Sequence, residues 1–338
     1  MKRYGDLFDA AFTRANLHAA YLQARRGKRA KRACFQFEKH LGTNLDRLHR
    51  EIHDGSYRPK PYFPFKVYEP KPRLIHAPSF CDLVVQHAIY KIAGPIFDNG
   101  FIDQSFACRV GLGTHKAADY AQHALQQIPG DAYVLKLDIR KFFYRIDRGV
   151  LRMLIERKVK DRRFVDMMMR FAEYGEPVGI PIGNLLSQLY ALIYLNPLDH
   201  FVKRVLKVRR YCRYVDDFML FGLSHAAALS MKVRIVEFLA GLKLELSRWT
   251  LARANRGVNF VGYRAWAGKR FIRKRSLYNF RRAVRRGAIE SMVSILGHAR
   301  RTRSLQHLLR FVSERSHALF CRLPKIYRCP GHARTAPA

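Results

Sequence analysis

Residues 213–220 read Arg213-Tyr214-Val215-Asp216-Asp217-Phe218-Met219-Leu220, so that two adjacent carboxylates stand inside an apolar and aromatic stretch. Such carboxylates are costly to bury unless a cation compensates their charge. Because successive side chains of a strand point to opposite faces, both carboxylates can reach one site only at a hairpin turn. The segment therefore predicts two strands joined at the Asp-Asp pair. Taken alone, the pair is also compatible with an ordinary Asp-rich turn.

A third carboxylate, Asp138, ends a predicted strand over residues 132–138, which read AYVLKLD. The alternation of this strand places Lys136 and Asp138 on the same face. Three carboxylates that converge at adjacent strand ends would make an oxygen-lined site for Mg²⁺, a hard cation. Two such ions about 4 Å apart can activate an attacking 3′-hydroxyl and stabilise a departing pyrophosphate. The pattern therefore predicts a magnesium-dependent nucleotidyl-transfer site.

The composition agrees with a nucleic-acid substrate. The 338 residues include 63 Lys or Arg against 26 Asp or Glu, for a net charge of +37, and 49% of them are hydrophobic. We therefore expect a folded protein whose positive field attracts nucleic acids or anionic membranes. The apolar runs are too short to span a bilayer and the amino terminus lacks a signal-peptide pattern. Six scattered cysteines suit a reducing compartment, so we expect a cytoplasmic protein without a membrane partner.

The remaining pattern predicts an α+β fold. Helices are predicted up to about residue 53 and over residues 82–97, 184–197 and 225–242. Strands are predicted over residues 65–68, 74–76, 132–138, 211–221 and 257–266. The regular alternation of strand and helix that builds a parallel sheet is absent, which favours separated helices and an antiparallel sheet. No fixed-period repeat is present, so a solenoid is excluded.

Five motifs, in order between residues 59 and 266, are similar to those of reverse transcriptases. Tyr214-Val215-Asp216-Asp217 resembles their YxDD signature. The others are Lys71-Pro72-Arg73-Leu74-Ile75 with Pro78 and Asp82 (fingers), LKLDIRKFF at 135–143 (first acidic motif), GIPIGNLLSQ at 179–188 (template positioning) and Phe260-Val261-Gly262-Tyr263 (primer grip). The resemblance implies an RNA-directed DNA polymerase shaped as a right hand. It would have fingers, an antiparallel palm sheet of the RRM or ferredoxin-like type, and a helical thumb.

The same resemblance implies a domain order. A helical amino-terminal extension would occupy residues 1–58, and fingers with inserted palm elements residues 59–131. The palm would occupy residues 132–266, the thumb residues 267–320 and a tail residues 321–338.

The resemblance also implies roles for the catalytic residues. Asp138 and Asp216 would be the principal ligands of two Mg²⁺ ions, for which Mn²⁺ is a possible substitute. Asp217 would assist them, and the backbone carbonyl of Ile139 would complete the shell of the nucleotide-bound ion. Phe143 matches the steric gate whose ring excludes a ribose 2′-hydroxyl and so selects dNTPs.

Further residues would bind the incoming dNTP. Arg73 matches the fingers arginine that grips the triphosphate, a task suited to a planar guanidinium. Lys71 is a candidate for the same work. Gly183 would allow the backbone to approach the nascent base pair closely. Ile182 and Gln188 complete this set.

A basic stretch follows the primer-grip motif, with ten Lys or Arg and no acid between Arg264 and Arg286. Like charges crowded on a helix destabilise it unless phosphates relieve them. We expect primer–template contacts from Tyr214, Val215, Gly262, Tyr263, Lys269, Arg270, Arg273, Lys274 and Arg275. Packing at the junction of palm and thumb is a second interpretation of Tyr263.

Two other clusters are less specific. The basic run at residues 25–32 could be a solvated helix face or a phosphate contact. His317, Cys321, Cys329 and His332 have a composition that could bind Zn²⁺, but the spacing of the two cysteines fits no tight zinc knuckle.

The template-positioning motif departs from the common QGxxxSP pattern, because Ile182 replaces the Gln and Ser187-Gln188 replaces Ser-Pro. This form resembles the reverse transcriptases of diversity-generating retroelements. Those enzymes copy a template-repeat RNA with frequent misincorporation opposite adenine, and the mutated cDNA replaces a variable repeat in a target gene. Ile182 cannot donate the hydrogen bonds of an amide near the nucleotide sugar, so we expect a less constrained insertion site.

The resemblance implies partners as well: the template RNA, the cDNA or primer, dNTPs and a small basic homopentameric accessory variability protein, in a bacterium or a phage-infected bacterium. Three alternatives stay open. A group II intron-type enzyme would usually add domains after the thumb, and little chain follows Trp266. A retron enzyme would generally keep Ser-Pro. A catalytically inactive polymerase-fold scaffold that binds RNA is disfavoured by the intact aspartates.

Overall fold

The computed structural model describes residues 3–68 and 72–328. The chain forms two compact units, each built from three separate stretches. The first comprises Met1–Cys108, Asp138–Lys207 and Lys232–Arg248, and the second comprises Arg109–Leu137, Val208–Met231 and Trp249–Ala338. These units differ from the contiguous ranges expected for fingers, palm and thumb, which stay a prediction.

Helices and strands alternate irregularly along the chain. The helices are α1 Leu7–Ala11, α2 Arg14–Ala24, α3 Arg32–Lys39, α4 Leu41–His53, α5 Phe80–Asp98, α6 Thr114–Gln126, α7 Phe142–Arg145, α8 Arg148–Glu156, α9 Arg162–Arg170, α10 Leu185–His200, α11 His225–Gly241, α12 Lys274–Arg285, α13 Ile289–Ala299, α14 Ser304–Arg315, α15 His317–Cys321 and α16 Lys325–Arg328. The strands are β1 Phe63–Val67, β2 Arg73–Ala77, β3 Tyr133–Ile139, β4 Arg210–Tyr214, β5 Asp217–Leu223, β6 Leu246–Arg253, β7 Val258–Phe260, β8 Tyr263–Ala265 and β9 Arg270–Ile272.

The first unit is organised around α5, which packs against α2 and α10. The helix starts at Ser79, whose side chain accepts a hydrogen bond from the Asp82 backbone N–H. Asn184 caps α10 in the same way, by accepting from Leu186 N–H. Both caps satisfy backbone donors that no helical partner can reach. The strands β1 and β2 form a separate antiparallel pair in this unit.

The sequence predicts that the helix starting at residue 184 breaks or kinks at Pro197, but α10 does not end there. The helix continues to His200 and leads into a π-helical turn, Phe201–Val205. Proline removes a backbone donor and disfavours a helix interior. Here the residues around it, such as Leu195 and Leu198, are fully buried. Tertiary packing therefore maintains the helix beyond the proline.

The chain also forms two larger sheets. The strand order of the first is β4-β5-β3-β6, with β4 and β5 antiparallel. The second is the antiparallel sheet β7-β8-β9. Helix α6 packs against β4, β5 and β8, and the helices α12, α13 and α14 share an apolar core with β8 and β9.

The predicted α+β class is confirmed, and so are the predicted hairpins at residues 211–221 and 257–266. Strand β9 is a difference, since its residues were expected in a helix-rich segment. None of the helices traced over residues 3–68 and 72–328 combines the length and the apolar character needed to cross a membrane.

Candidate active site

The β4–β5 hairpin presents the two adjacent aspartates as the sequence predicts. Tyr214 pairs with Asp217, so Val215 and Asp216 form the turn. Val215 has a φ of 59°, in the left-handed region that a β-branched residue rarely adopts. The turn is held from below by Arg213, which is fully buried and donates from Nη1 to the Val215 carbonyl at 3.0 Å. A strained turn of this kind persists only where its surroundings fix it, and it is common at functional sites.

Asp217 has a cationic partner, Lys136, which is not among the site residues predicted from the sequence. Its Oδ2 accepts a hydrogen bond from Lys136 Nζ at 2.7 Å, and the two side chains are 22% and 23% exposed. The same ammonium donates to the Asn259 carbonyl at 2.8 Å and lies 5.7 Å from the Phe260 ring centroid. Lys136 thus links an aspartate of the YVDD turn to the strand that leads into the primer-grip hairpin. The sequence feature that could have indicated a role for Lys136 is its position two residues before Asp138, on the same face of the strand.

Asp138 lies on β3 and is partly exposed. Its Oδ1 accepts a hydrogen bond from the Ser247 hydroxyl on β6, which also lies 3.3 Å from the Asp138 backbone oxygen. Next to it, Arg140 N–H donates to the Glu245 carbonyl at 2.8 Å. The Ile139 side chain is buried, so only the backbone of this residue is suited to a ligand role. Ser247 gave no signal in the sequence.

The donor set fits a hard divalent cation. Asp138, Asp216 and Asp217 offer carboxylate oxygens and Ile139 a carbonyl oxygen, which are the ligands that Mg²⁺ prefers. Across residues 3–68 and 72–328, no three His, Cys, Asp or Glu side chains are grouped as metal ligands. Asp138 Oδ1 instead accepts a hydrogen bond from Ser247, and Asp217 Oδ2 accepts one from Lys136. Divalent ions would have to compete with these two partners.

The loop that opens the template-positioning motif lies directly on α7, which carries Phe143. Gly179 has a φ of 91°, and a Cβ there would come within 2.9 Å of the Phe143 carbonyl oxygen. Ile180 N–H donates to that same oxygen at 2.9 Å. Phe142 is buried and contacts the Phe143 ring edge-to-face, with 5.5 Å between centroids. The Phe143 side chain is partly exposed, and the contacts of its carbonyl oxygen with residues 179–180 hold its backbone in place.

The same motif touches β2. The Ile182 carbonyl accepts from His76 N–H at 2.7 Å. Gly183 has a φ of 104°, and a Cβ there would lie 2.5 Å from Ile75 Cγ2. Glycine is needed at this position to let the loop approach β2, independently of any base pair. Arg73, the first residue of β2, is exposed, and so is Gln188, while the predicted Lys71 lies outside the residues that the structure describes.

Two residues expected to contact primer or template are instead packed. Tyr263 is 1% exposed, donates from its hydroxyl to the His298 carbonyl at 2.8 Å and stacks on the His298 ring at 4.1 Å. Arg270 is 6% exposed and pairs with Asp119 at 2.7 Å. We therefore assign both residues to the packing of the second unit. Gly262, with a φ of 91°, allows His298 to approach.

The other predicted primer–template residues are at least partly accessible. This group comprises Tyr214, Val215, Lys269, Arg273, Lys274 and Arg275. Lys269 lies over the Trp266 ring at 5.5 Å, so part of its side chain is engaged.

The candidate zinc ligands do not form a site in the described chain. His317 and Cys321 lie one turn apart on α15, with 3.6 Å between Cys321 Sγ and His317 Nδ1. Cys329 and His332 lie outside the described residues, and the zinc hypothesis stays a hypothesis.

The comparison with protein families decides the class. The family described as "Reverse transcriptase (RNA-dependent DNA polymerase)" matches residues 59–265, more than half of the chain. The chain belongs to the reverse transcriptase family. By family, it is an RNA-dependent DNA polymerase, and the match includes the YVDD turn, Asp138, Phe143 and the loop at residues 179–188.

Individual relatives of this reverse transcriptase are distant. Protein YkfC of Escherichia coli (strain K12) is 26% identical over 295 residues, which are 72% of this chain and 75% of YkfC. The group II intron-encoded protein LtrA of Lactococcus lactis subsp. cremoris is 29% identical over 170 residues, or 47% of this chain and 28% of LtrA. A telomerase structure from Candida albicans is 13% identical, with a TM-score of 0.49, over 78% of this chain and 55% of that one. The reverse transcriptase thus matches only a minor part of LtrA.

Proposed function

We propose that this reverse transcriptase makes cDNA on an RNA template by two-metal-ion nucleotidyl transfer, with Asp138, Asp216 and Asp217 as its carboxylates. The observation that carries the proposal is the position of these residues in one sheet. Asp138 lies on β3, and Asp217 opens β5, the neighbour of β3 in the strand order. Asp216 occupies the strained turn before β5.

The contacts support unequal roles for the three acids. Asp217 shares one oxygen with Lys136, which suits an assisting ligand better than a principal one. Asp138 accepts a hydrogen bond from a neutral serine hydroxyl instead of an ammonium, and we propose Asp138 and Asp216 as the principal ligands. Bound Mg²⁺, or Mn²⁺ in its place, would supply activation of the 3′-hydroxyl and neutralisation of the pyrophosphate. In this reaction the 3′-oxygen would bond to the α-phosphorus, the bond from the α-phosphorus to pyrophosphate would break, and the hydroxyl proton would pass to water.

Selection of the nucleotide is assigned to Phe143 and Arg73. The fixed backbone beneath Phe143 would hold its ring against the sugar, so that a 2′-hydroxyl meets a rigid wall. The exposed guanidinium of Arg73 can grip a triphosphate with two parallel hydrogen bonds.

We further propose that the enzyme belongs to a diversity-generating retroelement and copies its template-repeat RNA with errors opposite adenine. The support is the sequence of the loop beside β2. The Ile182 carbonyl is held by His76, so its aliphatic side chain stands at a fixed place in the motif without offering an amide. Gln188 is exposed on α10. A group II intron-type function is the second candidate, favoured by the similarity to LtrA.

The two candidates differ in their error spectra. The full chain is given an RNA template containing all four bases, and the cDNA is sequenced. The retroelement proposal expects misincorporation concentrated opposite adenine, reduced by Ile182→Gln and retained by the matched aliphatic variant Ile182→Leu. A spectrum without adenine bias favours the intron-type function. If Ile182→Gln leaves a clear adenine bias unchanged, the explanation based on Ile182 is wrong.

The proposal includes a basic accessory variability protein as partner. Because this chain carries a net charge of +37, two basic proteins would repel each other unless RNA lies between them. Loss of co-purification after nuclease treatment would support bridging by RNA. Persistence of the complex in high salt after that treatment would contradict it.

A further inference from the structure

An exposed basic segment joins α2 to α3 in the first unit. Residues 25–32 read Arg-Arg-Gly-Lys-Arg-Ala-Lys-Arg, with six cations and no acid. All of its residues are exposed except Arg25, which is partly buried. None of them belongs to the polymerase motifs, so the reaction proposed above makes no use of this segment.

The backbone of the basic segment is ordered by its own turns. Lys28 N–H donates to the Arg25 carbonyl and Lys31 N–H to the Lys28 carbonyl, both at 2.9 Å. Gly27 adopts a φ of 66°, which glycine tolerates without strain. Tyr21 before the segment and Cys34 after it are fully buried. The segment is therefore a preformed surface, and a ligand would not have to order it.

The charges of the basic segment are mostly uncompensated. Arg25 pairs with Glu38 at 3.1 Å and donates to the Tyr21 hydroxyl at 3.0 Å. The other five cations have no acidic partner within the described part of the chain, namely Arg26, Lys28, Arg29, Lys31 and Arg32. The charge of Lys28 reaches the helix α5, where it adds to the burial that lowers the pKa of His87 to about 4. Such crowding of like charges is relieved when an anion binds.

The surface beside these cations is suited to binding a single strand of nucleic acid. A cavity of about 510 Å³ is lined by Leu22, Arg25, Arg26, Gly27 and Arg29. Leu22, which lines the cavity, is 42% exposed. Phe35 lies one turn after Lys31 on α3 and is 60% exposed. Guanidinium groups bind phosphates in a planar fork, and exposed aromatic or apolar groups accept unpaired bases. An acidic peptide would use the charges but leave the exposed ring unexplained.

We infer that the basic segment is a second RNA-binding site, which holds the sugar–phosphate backbone of a single strand without reading its sequence. Arg26, Lys28, Arg29, Lys31 and Arg32 contact the phosphates, and Phe35 packs against a base. The inference draws on the RNA-dependent family of the enzyme, and it does not depend on the retroelement proposal. It predicts that the protein retains part of its RNA template through residues that take no part in nucleotide addition.

The test compares the wild-type full chain with a variant in which these five cations are changed to Gln. A matched control changes five other exposed cations of the first unit, namely Lys39→Gln, Lys91→Gln, Arg157→Gln, Lys160→Gln and Arg162→Gln. Binding of a fluorescent single-stranded RNA is measured over a range of salt concentrations. Each phosphate contact on a single strand contributes about 0.7 to the slope of log affinity against log salt.

We expect the basic-segment variant to lower that slope by about 3.5 and the affinity by at least about tenfold at physiological salt. The control should change the slope by less than about 1. Phe35→Ala should weaken binding without changing the slope. Single-nucleotide addition on a short primer–template should persist in every variant, so a failure of the proposed polymerase function is recognised separately.

Two results would overturn the inference. If the basic-segment variant and the control lose RNA affinity equally, the loss is explained by net charge alone and not by a site at residues 25–32. Unchanged RNA binding in the basic-segment variant would assign the surface to another ligand, such as an acidic protein. Thermal unfolding of each variant separates these outcomes from loss of the fold, because all ten substituted side chains are exposed.

Discussion

Lys136→Met tests how the YVDD turn is held. The substitution keeps a long apolar side chain against Phe260 but removes the ammonium that donates to Asp217 at 2.7 Å and to the Asn259 carbonyl at 2.8 Å. Asp217 then loses the Lys136 ammonium, and the Asn259 carbonyl loses the same donor. A charge-retaining control is Lys136→Arg.

The magnitude follows from these two contacts. A hydrogen bond to a charged group contributes about 1.5–3 kcal/mol when it is sheltered from water. Both side chains are between one fifth and one quarter exposed, so the lower value applies to the ion pair. We expect Lys136→Met to reduce the free energy of unfolding by about 2 kcal/mol. If about 1.4 kcal/mol of that acts on the geometry of the reacting complex, kcat falls about tenfold.

The affinity for Mg²⁺ should rise in Lys136→Met, although stability and kcat fall. In the proposed two-metal site, Lys136 would compete with a divalent cation for Asp217, so its removal should tighten Mg²⁺ binding even while turnover falls. The assays are denaturant unfolding, titration of Mn²⁺ binding without substrate, and primer extension over a range of Mg²⁺ concentrations. Unchanged kcat and unchanged metal affinity in Lys136→Met would refute the positioning role. A loss of stability alone would reduce Lys136 to a structural contact.

Three further predictions concern the same units. Phe143→Ala should raise incorporation of rNTPs relative to dNTPs by up to about a hundredfold, measured by single-nucleotide addition. Gly183→Ala should destabilise the protein by about 2 kcal/mol or more in denaturant unfolding, because its φ is 104° and Ile75 Cγ2 lies 2.5 Å from the new Cβ. Burial lowers the pKa of His115 and of His298, so the stability that their neutral forms contribute is complete above their ordinary pKa and is lost as the pH falls below it. Unfolding of His298→Gln should therefore depend less on pH between neutral and mildly acidic conditions than unfolding of the wild type.

Each of these predictions has a control. Phe143→Tyr keeps a ring and should keep discrimination, and equal sugar selectivity in Phe143→Ala would exclude a steric gate. Gly42 lies in α4 with nothing within 4 Å of its Cβ position, so Gly42→Ala should be neutral or stabilising. If Gly183→Ala is as stable as Gly42→Ala, the inference that the loop at Gly183 packs closely against β2 is wrong. If the stability of His298→Gln depends more steeply on pH than that of the wild type, the predicted loss of stability through protonation of His298 is wrong.

The sequence predicts the local parts of the site because local patterns encode them. Alternating apolar residues define β3, and the apolar flanks of the Asp-Asp pair define the β4–β5 hairpin. The same alternation places Lys136 on the face of Asp138. The sequence does not show that Lys136 pairs with the Asp217 carboxylate, and this contact is known only from the structure.

Contacts between residues far apart in the chain were not predictable in the same way. Arg270 stands in a basic stretch and was expected to face nucleic acid, but Asp119 on α6 pairs with it at 2.7 Å. Ser247 follows no motif, and its hydroxyl reaches Asp138 only because β6 lies beside β3. Gly183 has a positive φ, and a Cβ at this position would also collide with Ile75 on β2, far away in the sequence. Each of these depends on tertiary packing, which no local pattern reports.

Single-nucleotide addition by Asp216→Asn tests the central claim most directly. The full chain is incubated with a primed RNA template, one complementary dNTP and Mg²⁺, and a control variant changes the exposed Asp103 to Asn. Loss of a metal-binding carboxylate removes several kcal/mol of transition-state stabilisation. We predict that Asp216→Asn loses at least about a hundredfold in rate while Asp103→Asn matches the wild type. Addition by Asp216→Asn at the wild-type rate would contradict the assignment of the YVDD turn to catalysis.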